Sequence, residues 1–87
     1  MFLHLGSDYV ISEKNIIGIF DIETVSSNIT KSFFKTMEKE GRVITVTNEL
    51  PKSVVLCESD IGRVCYISQL SAATLKKRLT TMAGFTE

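Results

Sequence analysis

Residues 51–79, PKSVVLCESDIGRVCYISQLSAATLKKRL, decide the fold, because they read without a break as strand, tight turn, strand and capped helix. Ser53–Glu58 and Arg63–Ile67 are rich in Val, Ile, Cys and Tyr, which suit a pleated, half-buried surface. The turn material between them, Ser59-Asp60-Ile61-Gly62, predicts a β-hairpin. If that hairpin centres near Ile61, Cys57 and Cys65 face each other across the two strands, as free thiols packing like small apolar residues. Past the second strand, Ser71 offers an oxygen to the free N–H groups that open a helix. Leu75, Leu79 and Met82 then recur at helical spacing and Gly84 supplies the stop. Lys76, Lys77 and Arg78 are expected late in this helix, where positive charge complements its carbonyl end.

The earlier chain must pack onto that unit. Phe2–Leu5 and Tyr9–Ser12 read as two strands joined by the turn Gly6-Ser7-Asp8. His4 has no Ser, Cys or acidic neighbour in its strand, so it reads as a packing or edge residue and not a base. After a turn at Glu13-Lys14-Asn15, Ile16–Ile22 is nearly continuous in apolar residues, so both faces of this third strand require cover. One face is expected on the helix that follows and the other against a second copy, with Ile17, Ile19 and Phe20 forming the oligomer interface. Gly18 marks a bulge or a close backbone approach. Asp21 and Glu23 read as the acidic rim of the strand end, because two carboxylates alone make a poor cation site.

A polar loop follows from Glu23 to Asn28. Asn28 or Ser27 is expected to cap a helix with the apolar stripe Ile29, Phe33, Phe34 and Met37, closed by Gly41. Lys31, Lys35 and Lys39 fall on its outer face, where a solvated surface is the simpler reading beside phosphate contact. Arg42 leads into a strand at Val43–Thr47, and Asn48-Glu49-Leu50-Pro51-Lys52 connects it to the hairpin. The tail, Phe85-Thr86-Glu87, is expected to fray. The order is three strands, a helix, three strands and a helix: an α+β fold of short antiparallel strands with two helices, one domain over residues 1–87.

Charge and composition exclude several functions. Ten basic and ten acidic residues cancel in a chain of 87, which argues against strong nonspecific polyanion binding by a single copy. The start MFLHLGSDYV lacks the pattern of a secretory signal and no apolar run is long enough to span a bilayer, so a cytoplasmic location without a membrane partner is expected. Two Cys and one His cannot complete a four-ligand zinc site, the five glycines form no phosphate loop, and no activated nucleophile is evident. Neither enzymatic activity nor a cofactor is expected.

The segments FLHLGSDYVI, NIIGIFDIET, LPKSVVL, VCYIS and TLKKRL resemble the bacterial extracellular matrix regulator family, RemA and RemB, over essentially the whole chain, and the RemB branch more closely. The resemblance implies a LytTR-like α+β fold and a cytoplasmic homo-oligomer, ring-shaped in the RemA branch, that binds double-stranded DNA upstream of biofilm matrix operons and activates them. In the RemA branch the loop after the strand equivalent to Val43–Thr47 carries paired arginines that serve DNA binding; here Lys52 is that loop's only cation. A further arginine of that branch falls at Asn15, with Lys14 beside it. Two readings stand side by side. Either each subunit contributes Lys14, Arg42 and Lys52 to DNA, or the chain is an oligomeric partner of a RemA-type regulator and does not itself bind DNA.

Overall fold

The computed structural model describes residues 2–23 and 28–84, and within them the side chains of residues 2–23 and 31–79. The expected loop 24–27, the cap at Ser27 or Asn28, the side chains of Ile29 and Met82, and the tail 85–87 lie outside the described residues. The elements run β1 (Phe2–Gly6), β2 (Tyr9–Ser12), a 3-10 turn (Glu13–Asn15), β3 (Ile16–Asp21), α1 (Asn28–Lys39), β4 (Val43–Thr45), β5 (Ser53–Ser59), β6 (Gly62–Ser68) and α2 (Ala72–Gly84). This is the α+β order read from the sequence. The strands form two sheets, the hairpin β1-β2 and a four-stranded sheet in the order β3-β5-β6-β4.

One pairing departs from the antiparallel expectation. β4 runs parallel to β6, Val43 opposite Cys65 and Thr45 opposite Ile67. The turn after β5 folds β6 back into the space between β5 and β4, so β6 is antiparallel to the first and parallel to the second. β4 is also shorter than the expected Val43–Thr47, although the Val46 N–H still donates to the Ile67 carbonyl at 2.9 Å.

The β5-β6 register corrects the placement of the cysteines. Ser59 pairs with Gly62 across a two-residue tip, so Cys57 lies opposite Val64 and Cys65 opposite Leu56. The hairpin therefore centres between Asp60 and Ile61, half a residue from the expected point. Because side chains alternate along a strand, that offset sends the two thiols to opposite faces of the sheet. Ser59 holds the turn, its Oγ donating to the Gly62 carbonyl at 2.7 Å and accepting from the Ile61 N–H at 3.3 Å. Gly62 takes φ +111°, a conformation that a side chain disfavours.

Alternation on β5 builds two cores. Val55 and Cys57 point to one face, with Leu3, Leu5, Ile19, Val46, Ala72 and Leu75; there α2 and the β1-β2 hairpin cover the sheet. Val54 points to the other face and packs with Cys65 and Met37, flanked by Phe34, Val43 and Leu56, so α1 covers that side. Ile19 consequently belongs to the α2 side and is only 7% exposed. Its side chain is therefore not the exposed apolar contact that was expected of it, because the last helix and not the one that follows β3 covers it. Ile17 and Phe20 remain at the surface, 49% and 41% exposed.

Both helix boundaries within the described residues follow from local chemistry. Gly41, at φ +73°, ends α1: the Arg42 N–H reaches the Met37 carbonyl at 2.9 Å and the Gly41 N–H reaches Glu38 at 3.1 Å, satisfying the last orphan carbonyls. Ser71 caps α2, its Oγ accepting from the Thr74 N–H at 3.0 Å. Because α2 continues to Gly84, Lys76, Lys77 and Arg78 stand in its middle and not in its last turn, so the helix dipole does not account for them.

Two buried serines join the layers. Ser68 donates to the Leu5 carbonyl at 2.6 Å and accepts from the Leu70 N–H at 3.0 Å, while Ser53 donates to the Leu70 carbonyl at 2.7 Å. Replacing Ser68 by Ala leaves a buried carbonyl and an N–H without that partner. We expect Ser68→Ala to lower stability by about 1–3 kcal/mol in urea unfolding; a loss of under about 0.5 kcal/mol would show that the hairpin docks by apolar contact alone.

Candidate nucleic-acid interface

Among the described residues, only Arg42 and Arg63 stand at ion-pair distance from a carboxylate, Arg42 to Glu40 at 3.5 Å and Arg63 to Glu58 at 3.7 Å. The exposed lysines Lys14, Lys31, Lys35, Lys39, Lys52, Lys76 and Lys77 make no such pair and are free to meet an anion. Their positions follow from the topology.

Lys52 has the most rigid mounting. Its N–H donates to the Ser68 carbonyl at 2.9 Å and its carbonyl accepts from the Ile22 N–H at 3.0 Å, so its backbone is clamped between the ends of β6 and β3 while its side chain is exposed. The preceding loop carries one internal contact, from the Glu49 N–H to Thr47 Oγ1 at 3.1 Å.

Arg42 sits at the other end of the sheet. Its guanidinium lies over the backbone of Gly62, where a Cβ would come within 2.9 Å of Nη1, and its carbonyl accepts from the Cys65 N–H at 2.8 Å. Arg42 is thus partly spent on holding α1 and β4 against the hairpin turn. Lys14, on the exposed 3-10 turn before β3, is at this same end, because Ile16 pairs with Cys57 near the top of β5.

The three cations singled out from the sequence do not form one patch. Lys14 and Arg42 flank opposite edges of the sheet, three strand spacings or roughly 14 Å apart. Lys52 is about 20 Å from both along the seven residues of β5. The helical lysines divide as well: Lys31, Lys35 and Lys39 ride on α1 over one face, and Lys76 and Lys77 on α2 over the other. Arg78 is nearest to β1, its Nη1 lying 3.5 Å from the His4 carbonyl. The mid-helix position of the α2 triplet follows from a helix running from the Ser71 cap to Gly84, the limits expected from the sequence.

The thiols offer no reactive centre. Burial, with a smaller contribution from Cys65, pushes the Cys57 thiol from 9.0 up to about 11, and burial raises Cys65 too. Cys65 Sγ rests 3.5 Å from Met37 Sδ in the α1 core. Among the described residues no three of His, Cys, Asp and Glu converge to hold a metal ion, and no helix is long and apolar enough to cross a membrane.

The chain is a small α+β domain with buried thiols and dispersed surface lysines. Comparison with known proteins gives its class. The family model described as "RemA-like: Extracellular matrix regulatory protein A-like" matches residues 2–79. The chain is also 40% identical over 82 residues, 94% of either protein, to Extracellular matrix regulatory protein B of Bacillus subtilis (strain 168). The chain therefore belongs to the RemA-like family of extracellular matrix regulatory proteins and is RemB-like within it.

The raised thiol gives a pH prediction. Cys57 binds its proton more tightly folded than unfolded, so its contribution to stability is complete below about pH 9 and is lost as pH rises toward about 11. Thermal melts from pH 7 to 11 should show a decline confined to the alkaline limb and smaller in Cys57→Ala; equal declines in both proteins would remove Cys57 from the effect.

Proposed function

We propose that the protein is a DNA-binding transcriptional regulator of biofilm matrix genes that works as a homo-oligomer in the cytoplasm. The observation that carries this reading is the 40% identity to a matrix regulatory protein across nearly the whole chain. The charge distribution supports the need for an assembly. One copy has no net charge and holds its free lysines on two faces and two ends, so a duplex against any one side meets only a few of them. Repetition by symmetry multiplies one such contact and raises the effective affinity steeply.

Within this reading, Lys52 is the strongest single candidate for a phosphate contact, because its clamped backbone lowers the entropy cost of holding the ammonium in place. Arg42 plays the weaker part, since Glu40 competes for it. A double-stranded promoter fragment should shift in a gel assay at 50 mM salt and lose most of that shift at 200 mM. Lys52→Ala should weaken binding on every sequence alike and flatten the salt dependence by about one unit of slope.

The separation of Lys14, Arg42 and Lys52 favours a second reading, in which the chain is an oligomeric partner of a RemA-type regulator and leaves DNA contact to it. No shift at 50 mM salt alone, together with a shift on adding such a regulator, would replace the first reading by the second.

A further inference from the structure

β3 is an edge strand: it pairs with β5 on one side, and no described strand lies on the other. The orientation of its backbone follows from one hydrogen bond. The Ile22 N–H donates to Lys52, in register with Phe20 opposite Val54 and Gly18 opposite Leu56, so residues 22, 20 and 18 spend their groups on β5. The N–H and C=O groups of Ile19 and Asp21 therefore face outward. From Ile16 to Phe20 this edge carries no charge, whereas proteins commonly protect exposed edges with charged side chains.

The side chains point to the occupant. The register shifts between Ile16 and Gly18, so Ile17 is an extra residue in the strand. Ile16 and Ile19 accordingly both pack toward α2, three positions apart, while Ile17 and Phe20 are exposed. The Phe20 ring lies over Gly18, where a Cβ would meet Cζ at 2.6 Å. The exposed apolar strip thus consists of the Phe20 ring, folded back over Gly18, and the Ile17 side chain. Its ends are of opposite charge, Lys14 at one and Asp21 at the other, both exposed.

We propose that β3 pairs antiparallel with β3 of a second copy about a two-fold axis at Ile19, with Phe20 of each copy opposite Gly18 of the other. Only residues whose free groups face outward can form the new hydrogen bonds, which makes Ile19 the natural centre. In this register the two Phe20 rings, each folded over its own Gly18, meet beside the axis and cover one another. Asp21 arrives opposite the Ile16–Ile17 bulge, within a lysine's reach of Lys14, which leads into that end of the strand. Glu13 lies one residue farther out. Two such ion pairs form per interface, because a two-fold contact uses each patch twice. A two-fold contact uses the same edge of both copies and so closes on itself. The inference rests on the proposed function only in taking a second copy as the partner.

Light scattering over a dilution series without DNA tests it. The wild type should have at least twice the mass of one copy at micromolar concentration. Lys14→Glu and Asp21→Lys should each raise the concentration at which the assembly dissociates about tenfold, as expected for two exposed ion pairs turned repulsive. The double variant should return to within about threefold of the wild type. Phe20→Ala should dissociate it without altering charge. A wild type that is a single copy, an assembly indifferent to either reversal or to loss of the ring, or a double variant that fails to recover would each overturn the interface. Gel shifts separate this outcome from the proposed function: an assembly that binds DNA but is indifferent to the charge reversals leaves that function standing without this interface, and a charge-sensitive dimer that ignores DNA does the reverse.

Discussion

A turn two residues long, Asp60–Ile61, sets the side of the sheet to which every residue of β5 and β6 belongs. Strand side chains alternate strictly, so a shift of one residue would exchange Val55 and Cys57, packed beneath α2, for Val54, packed beneath α1. The turn is stitched by Ser59 and accommodated by the positive φ of Gly62, and Arg42 lies over it. The two cores, the position of the first hairpin and the burial of Ile19 are all consequences of that register.

The layers are tied by polar as well as apolar contacts. Ser68 and Ser53 are fully buried, and each spends its hydroxyl on a carbonyl outside the regular ladder, Leu5 at the register shift of β1 and Leu70 ahead of α2. A buried carbonyl left unpaired is costly, so these contacts specify where the β1-β2 hairpin and α2 dock more narrowly than nonpolar packing does. The resulting platform holds Lys52 firmly at one end and exposes the β3 edge along one side. The charges of one copy are balanced and dispersed over that platform.

Much of the fold was legible locally. Gly41 as a helix stop, Ser71 as a cap and the Ser59–Gly62 turn act through neighbours a few residues away, and each appears where its chemistry placed it. Gly18 stands beside the bulge at Ile17, and the Phe20 ring, not another backbone, lies over it. The cysteines were misplaced because an offset of half a residue in the turn centre cannot be read from composition, yet it reverses a face. The site was less legible than the fold: Lys14 and Lys52 were chosen because they fall at or beside the arginine positions of the resembling family, and Arg42 with them, but residues at strand ends far apart in the chain can lie at either end of a sheet.

The sequence by itself determined the number, order and kind of elements, and the apolar character of β3, since these depend on propensity, capping and periodicity within short windows. Its close likeness to the matrix regulators also resides there. Only the tertiary structure decided that β6 inserts between β5 and β4, that α2 and not α1 buries Ile19, and that the free lysines are scattered. Those outcomes depend on which strands become neighbours, a choice made by burying whole faces at once and not by any one segment.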